Sequence, residues 1–152
     1  QKYVYIMTPY LVIDDMMTST LCMAAKSGIE VCIVTPHIPD KWYVHNVTQY
    51  NYLELLQAGV KIYEYEPGFI HAKSYLVDDE YAMIGTINLD YRSLVHHFEN
   101  GVWMYQCEAI KALKADMEDT LKKCIEVSSD MLKTNLLQRF IRSVVRIFAP
   151  ML

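Results

Sequence analysis

The sequence has little of what marks disordered, fibrous or membrane-spanning proteins. Only 5 of its 152 residues are Gly and 5 are Pro, and 53% are hydrophobic against 21% charged. Disordered and fibrous chains have very different compositions. No uncharged apolar run reaches the ~18 residues that a transmembrane helix needs. Since this length suits one ordinary domain, we expect a single globular unit.

Cysteine pairs with a recognisable spacing are also missing. The four cysteines form no CxxC motif and no zinc-like pattern, so they predict neither a disulfide framework nor a metal site. Cys22, Cys32 and Cys124 stand among apolar residues and are expected to be small buried thiols in a reducing compartment. The chain begins with Gln1 and shows no signal-peptide pattern, so we expect a piece of a longer protein.

The charge lacks the basic excess that is typical of proteins that wrap nucleic acids. The formal net charge is −4 and the pI is about 5.7, so no nucleic-acid partner is predicted. The distribution is uneven, because residues 129–152 carry four basic side chains and one acidic one. An acidic body with a basic, apolar tail indicates contact with an anionic surface at one end.

The hydrophobic pattern predicts alternating strands and helices at first, and mainly strands between residues 60 and 105. The predicted strands are 3–8, 29–35, 60–65, 69–77, 81–85 and 97–105; the predicted helices run from a cap at Asp14 or Asp15 to Gly28, from about 44 to 58, and from 108 to 127. This order implies an α/β fold with a mixed β-sheet sandwiched between α-helices.

Residues 69–88 combine side chains that suit a phosphate ester. If 69–77 is a strand, His71 and Lys73 project from one face, because side chains alternate along a strand. The following hairpin returns the chain, which can bring Asn88 near them. A cation and an amide can bind non-bridging oxygens, while an imidazole attacks phosphorus or transfers a proton. No second His or Cys stands at ligand spacing, so this chemistry needs no metal.

The same segment fits the pattern HxKxxxxD, six residues, then G(S/T)xN, and so resembles the phospholipase D superfamily. The surrounding segments 63–65, 68–73, 88–93 and 98–99 resemble the second, C-terminal catalytic half of the bacterial cardiolipin synthases. The similarity extends over almost the whole chain. It implies a phospholipase D-like domain over residues 1–128, with no cofactor.

The resemblance also implies a reaction and its partners. A phosphatidyl group passes from one phosphatidylglycerol to another through a phosphohistidine, and glycerol is released. Two such motifs, from two halves of a chain or from two subunits, meet at one site. One histidine attacks phosphorus while the other transfers protons, and His71 would be the acid/base if this is the C-terminal half. Lys73 and Asn88 would bind the phosphoryl oxygens. The implied location is the cell membrane, on its cytoplasmic face.

The remaining residues of the signature have supporting roles by this resemblance. Asp78 belongs to the catalytic signature, but its odd separation from His71 and its place in a turn predict a mainly structural role, through backbone N–H groups of the hairpin. Glu99 is expected to orient the His71 ring by accepting its second N–H. Thr86 stands where Ser is commoner and preserves the hydroxyl.

Three alternatives stay open. The chain could be another phospholipase D-type phosphatidyltransferase or a phospholipase, with the same catalytic residues. A nuclease would keep the motif but needs a basic groove, against which the acidic body argues. An isolated half could also be inactive and only bind membrane. The neighbouring His96 and His97 would point to opposite sides of a strand, so no metal site is predicted there, although one of them could border the site.

A last helix is predicted from about residue 131 to 148. Its apolar side chains spread over about 220° of the helix circumference, whereas Arg139, Arg142 and Arg146 gather within about 60° on the other side. Such a helix either lies on an anionic bilayer or packs on the domain with its arginines exposed. The resemblance to lipid enzymes favours membrane contact for residues 129–152.

Deletion of residues 131–152 from the full-length protein tests this membrane contact. We expect weaker association with anionic liposomes, and a larger loss at low salt, where the arginines are less screened. Co-sedimentation at two salt concentrations measures the effect. Unchanged binding would assign the helix to the domain core instead.

Overall fold

A mixed β-sheet forms the centre of the domain in the computed structural model, which describes residues 1–132 and Val144. Within these residues the strands are β1 (Tyr3–Met7), β2 (Leu11–Val12), β3 (Glu30–Pro36), β4 (Lys61–Tyr65), β5 (Ser74–Val77), β6 (Tyr81–Gly85), β7 (Leu89–Asp90), β8 (Gly101–Tyr105) and β9 (Cys124–Glu126). The helices are α1 (Asp15–Lys26), α2 (Trp42–Gln57), α3 (Glu108–Leu121) and a short π-helix (Arg92–His96). No described helix has the length and hydropathy required to cross a bilayer.

The strand order brings several strand ends to one edge of the sheet. Seven strands follow the order β8-β6-β5-β1-β3-β4-β9, and β2 and β7 form a separate parallel pair. β1, β3 and β4 are mutually parallel, so their carboxyl ends share one edge. β5 runs antiparallel to β1, with Met7 opposite Ser74, and therefore begins at that same edge. Residues 66–73, which connect β4 to β5, cross this carboxyl edge.

Helices cover both faces of the sheet, which confirms the predicted α/β class. Ile33 on β3 packs in a core cluster with Leu21 of α1 and Leu55 of α2. Its neighbour Val34 packs in a second cluster with Ile110 of α3. Adjacent residues of a strand point to opposite faces, so α1 and α2 lie on one side and α3 on the other.

The predicted strand over 69–77 is wrong in its first half. Only Ser74–Val77 is a strand, because β1 offers no partner beyond Met7. Residues 66–73 must also pass the ends of β3 and β1 on the way from β4, and a chain that crosses strand ends cannot pair with them. The alternation that was expected to align His71 and Lys73 on one strand face therefore does not apply.

The helix predicted over 108–127 is too long. α3 ends at Leu121, and Cys124–Glu126 forms β9, which pairs with the outer edge of β4. The buried Val127 continues this contact by donating its N–H to the Ile62 carbonyl at 2.9 Å. Cys124 packs in the same core cluster as Leu121. The apolar spacing thus continued past the end of the helix.

Two other differences concern short segments. Of the predicted strand 97–105 only Gly101–Tyr105 is a strand, and the π-helix at Arg92–His96 was not predicted. β2 and β7 have two residues each, too few for a periodic signal. The predicted basic helix, with Arg139, Arg142 and Arg146, lies outside the described residues.

Asp78 ties the β5–β6 turn to the start of β1. Its carboxylate accepts the backbone N–H groups of Lys2 at 2.7 Å and Tyr3 at 2.8 Å. These bonds, that from Tyr3 first, lower the pKa of Asp78. Asp78 was expected to bond within its own hairpin; the structure directs it to β1 instead. The backbone φ of +54° is a left-handed conformation that Asp tolerates in tight turns.

We expect Asp78→Ala to lower the thermal unfolding midpoint at pH 7, because two N–H groups of β1 lose their acceptor. The folded-state pKa is depressed, so this stabilisation is present above the unfolded pKa of about 3.9 and is lost as the pH falls through the folded value. The difference from wild type should therefore shrink below about pH 4. Asp116→Ala, an exposed carboxylate on α3, is the control and should match wild type. An equal midpoint for Asp78→Ala at pH 7 would contradict the assignment.

Candidate active site

His71 lies on the segment that crosses the carboxyl edge of the sheet. The residue is exposed, and its ring is 5.7 Å from the Phe69 ring, centroid to centroid. Phe69 in turn lies 6.1 Å from the Tyr10 ring, which follows β1. No hydrogen bond joins the His71 ring to another residue in the part of the chain that the structure describes. Aromatic packing therefore positions the imidazole, and its nitrogens are open to a substrate.

Lys73 lies beside His71 through a backbone contact. Its Nζ donates to the His71 carbonyl oxygen at 2.7 Å, and its own carbonyl accepts the Gly85 N–H at 3.2 Å. Partial burial lowers the pKa of Lys73, while attraction from Glu99 and Asp90 acts in the opposite direction. This contact is with the His71 backbone and not with its ring, so the convergence of the two side chains on one phosphate stays a prediction.

Gly85 and Thr86, two further residues of the signature, lie where the pairing of β6 with β8 ends. A Cβ on Gly85 would lie 2.2 Å from the Asn100 carbonyl oxygen, so only glycine fits this close approach. The Thr86 N–H donates to that oxygen at 2.8 Å, and the Asn100 N–H donates to the Thr86 hydroxyl at 2.9 Å. The hydroxyl then donates to a carboxylate oxygen of Glu99. Thr86 therefore connects the strand ends to an acidic residue.

Glu99 does not orient His71 as expected. Its carboxylate accepts from Thr86, and hydrogen bonds from Thr86 and then Ser93 lower its pKa, with further attraction from His97 and Lys73. The cause is the Thr86–Asn100 pairing, which places Glu99 directly beside the Thr86 hydroxyl. In this geometry Glu99 is a counter-charge to Lys73.

Asn88 lies in the same region, and its side-chain amide nitrogen already has one hydrogen-bond acceptor. Its Nδ2 donates to Asp90 Oδ2 at 3.0 Å, and Asp90 Oδ1 accepts the Ser93 N–H at 2.7 Å. Because a carboxylate only accepts, the amide nitrogen must face Asp90. The buried Oδ1 of Asn88 has no partner within the described residues. One N–H of the amide remains for a phosphoryl oxygen.

A cavity of about 140 Å³ adjoins these groups. It is lined by residues of the β1–β2 connection and β2, the start of α2 and the 88–99 segment: Tyr10, Val12, Lys41, Val44, Asn88, Asp90, Arg92, Ser93, His97 and Glu99. His97, not its neighbour His96, borders the cavity. Sequence reasoning missed Lys41, Arg92 and Asp90. Asp90 had a detectable signal, since an Asp that caps the N–H three residues later is common at helix starts.

Asp78 is not part of this constellation. The whole of β5 separates it from Lys73, about 16 Å of extended chain at ~3.3 Å per residue. Its bonds are to the amino end of β1, whereas Lys73 stands at the carboxyl edge.

Among residues 1–132 and Val144, no group of three or more His, Cys, Asp or Glu side chains could hold a metal ion.

A histidine–carboxylate pair lies at the same edge of the sheet. His37 follows β3, and its Nδ1 lies 2.8 Å from the buried carboxylate of Glu64 on β4. Tyr52, fully buried on α2, interacts with the same carboxylate and shares a hydrogen bond with Thr35. This network links the carboxyl ends of β3 and β4, over which residues 66–73 cross.

Comparison with known proteins gives a consistent result. Residues 1–121 match the sequence profile of the family described as cardiolipin synthase, PLD-like domain. The chain is 40% identical to cardiolipin synthase 2 of Bacillus cereus, over its whole length and 30% of that relative. It is 48% identical to an uncharacterized protein of Streptococcus mutans, of which it covers 33%. The chain thus spans about one third of these relatives.

Solved structures share the fold at low sequence identity. Phosphatidylserine synthase from Haemophilus influenzae superposes with a TM-score of 0.76 at 18% identity, over 99% of this chain and 40% of that one. The phospholipase D family member Nuc from Salmonella typhimurium gives 0.73 at 16% identity, over 84% and 83%. At such identities these likenesses establish the fold alone.

Replacement of Thr86 tests the bond that holds Glu99. We expect Thr86→Val to raise the pKa of Glu99 toward the usual value of about 4.3, because the hydroxyl donor that favours the charged carboxylate is removed. Thr86→Ser keeps the hydroxyl and should keep the low pKa. Carboxyl NMR titration measures both, with Thr20→Val on α1 as a remote control. An unchanged titration in Thr86→Val would refute the bond.

Proposed function

Because this chain belongs to the family of cardiolipin synthase, phospholipase D-like domains, we propose that it is one catalytic half of an enzyme that transfers phosphatidyl groups between phospholipids. The substrate is phosphatidylglycerol as both donor and acceptor, and the products are cardiolipin and glycerol. The observation that carries the proposal is an exposed imidazole, His71, two residues from a partly desolvated ammonium, Lys73, whose Nζ bonds to the His71 backbone at the carboxyl edge of the sheet.

In the proposed reaction one histidine nitrogen attacks phosphorus. A P–N bond forms, the P–O bond to glycerol breaks, and the other histidine supplies the proton that the leaving alkoxide takes up. The acceptor hydroxyl then attacks phosphorus, the P–N bond breaks, and the same histidine receives the hydroxyl proton. We assign proton transfer to His71. No protein donor engages its ring in the described part of the chain, so the substrate can take either nitrogen.

Lys73 is the proposed phosphoryl-binding cation. Its ammonium is partly removed from water, and an ion interacts more strongly with a phosphate oxygen in such surroundings. Attraction from Glu99 and Asp90 raises the pKa of that ammonium and so favours its charged form. The free N–H of Asn88 is the second proposed donor to phosphoryl oxygen, since its other N–H binds Asp90.

One such constellation supplies one imidazole, and the proposed chemistry needs two. We therefore propose that the rest of the full-length chain, or a second subunit, contributes the other histidine. The chain's coverage of about one third of its relatives leaves ample length for a second half. We further propose that the protein acts at the cytoplasmic face of the cell membrane, with residues 129–152 as a membrane contact.

His71→Ala in the full-length protein tests the assignment. We expect turnover to fall by about 10²–10⁴-fold, because proton transfer to the leaving and from the attacking oxygen is lost. Phosphatidylglycerol vesicles with a chelator serve as substrate, and mass spectrometry of the lipids identifies the product. His96→Ala is the matched control, since His96 is exposed and does not line the cavity. Retained synthesis by a folded His71→Ala protein would contradict the proposal.

A further inference from the structure

Transfer between two phospholipids brings two phosphodiesters to one active site. The first reacts, whereas the second belongs to the acceptor lipid and leaves unchanged. The second still carries a negative charge that needs a binding place apart from Lys73. This consideration rests on the proposed function, and it directs attention to cations near the site that the reaction does not use.

Two such cations line the 140 Å³ cavity. Lys41 immediately precedes α2, and Arg92 begins the π-helix, so two separate elements present positive charge to one space. Neither forms an ion pair within 4.0 Å in residues 1–132. Residues 133–152 contain no Asp or Glu at all. Lys41 and Arg92 therefore have no carboxylate side chain as a partner.

The acidic side chains of the cavity are already engaged elsewhere. Asp90 accepts from Asn88 and from the Ser93 backbone, and Glu99 accepts from Thr86. Both carboxylates also attract Lys73. The other donors to Asp90 and Glu99 are neutral, so these two carboxylates face three cations, Lys41, Arg92 and Lys73, and one positive charge is left in excess at the cavity.

The size of the cavity is suitable for a phosphodiester. A single water needs about 10–15 Å³ of such space, so a cavity of about 140 Å³ accommodates a group of several non-hydrogen atoms. Arg binds phosphate through paired N–H groups, and Lys adds a point charge. The Arg92 guanidinium also lies 3.4 Å from the His97 ring nitrogen, which helps to hold it at the cavity wall.

We propose that the Lys41–Arg92 cavity binds the unreactive phosphodiester of the acceptor lipid. This subsite selects an acceptor that carries its own phosphate over water or a neutral alcohol, and so directs the enzyme toward synthesis of a two-phosphate lipid. The hydroxyl that attacks phosphorus belongs to the glycerol between the bound phosphate and the reaction centre.

The experiment compares two acceptors with one donor. Full-length protein in phosphatidylglycerol vesicles forms cardiolipin, and added 1,3-propanediol yields phosphatidylpropanediol through the same donor step. For Arg92→Gln and Lys41→Gln, we expect the ratio of cardiolipin to phosphatidylpropanediol formation to fall by about 10-fold or more, because each loses a charged hydrogen bond to the acceptor. Arg92→Lys should retain part of the ratio. Lys26→Gln, an exposed cation on α1, should leave the ratio at the wild-type value.

The outcomes separate the two proposals. An equal loss with both acceptors, or no change in the ratio in either variant, overturns the subsite while leaving the transferase intact. A wild-type protein that transfers phosphatidyl groups to neither acceptor overturns the proposed function, and the subsite with it. Thermal unfolding of each variant, and the use of two cations from separate elements, guard against a fold defect that mimics selectivity.

Discussion

The charge balance around Lys73 is the interaction on which the site depends. Three segments meet there: the crossing segment supplies the ammonium, and the 86–90 and 92–99 segments supply Asp90 and Glu99. Each carboxylate is held by its own donors, Asp90 by Asn88 and Ser93, and Glu99 by Thr86. Nearby negative charge favours the ionised form of a partly desolvated cation. The attraction between Lys73 and these carboxylates also stabilises the contact of the three segments.

The proposed anion-binding groups are compatible with a protein that is acidic overall. The net charge of −4 is a property of the whole surface and governs long-range attraction. Binding is decided over a few ångströms, where Lys41 and Arg92 have no carboxylate partner and Lys73 is only partly hydrated. Composition argues against an extended nucleic-acid groove, and it is compatible with a small cationic cavity. The net charge acts over long distances, whereas the cavity acts on groups within a few ångströms.

Prediction from sequence succeeded where a residue pattern and its structural partner are close together. The buried strand at Glu30–Pro36, the amphipathic start of α3 and the layered α/β class all follow from local periodicity. The prediction was wrong at residues 69–73, which are not a strand, and at residues 124–126, which are a strand and not a helix. In both segments the conformation depends on a pairing partner that is distant in the chain. Cys124 is an example. Its apolar side chain fits the helical spacing, but its backbone pairs with the outer edge of β4, so the residue lies in a strand.

The sequence by itself determined which chemical groups are present and how they are spaced: the imidazole and ammonium two residues apart, the glycine that permits the Gly85–Asn100 approach, and the family to which that spacing belongs. Only the tertiary structure decided that Asp78 serves β1, that Glu99 faces Thr86, and that Lys41 and Arg92 share a cavity. The physical reason is that a sequence motif specifies the order of side chains along one segment and not their contacts with other segments. Hydrogen-bond partners and uncompensated charges are set by segments that folding brings together across the sheet.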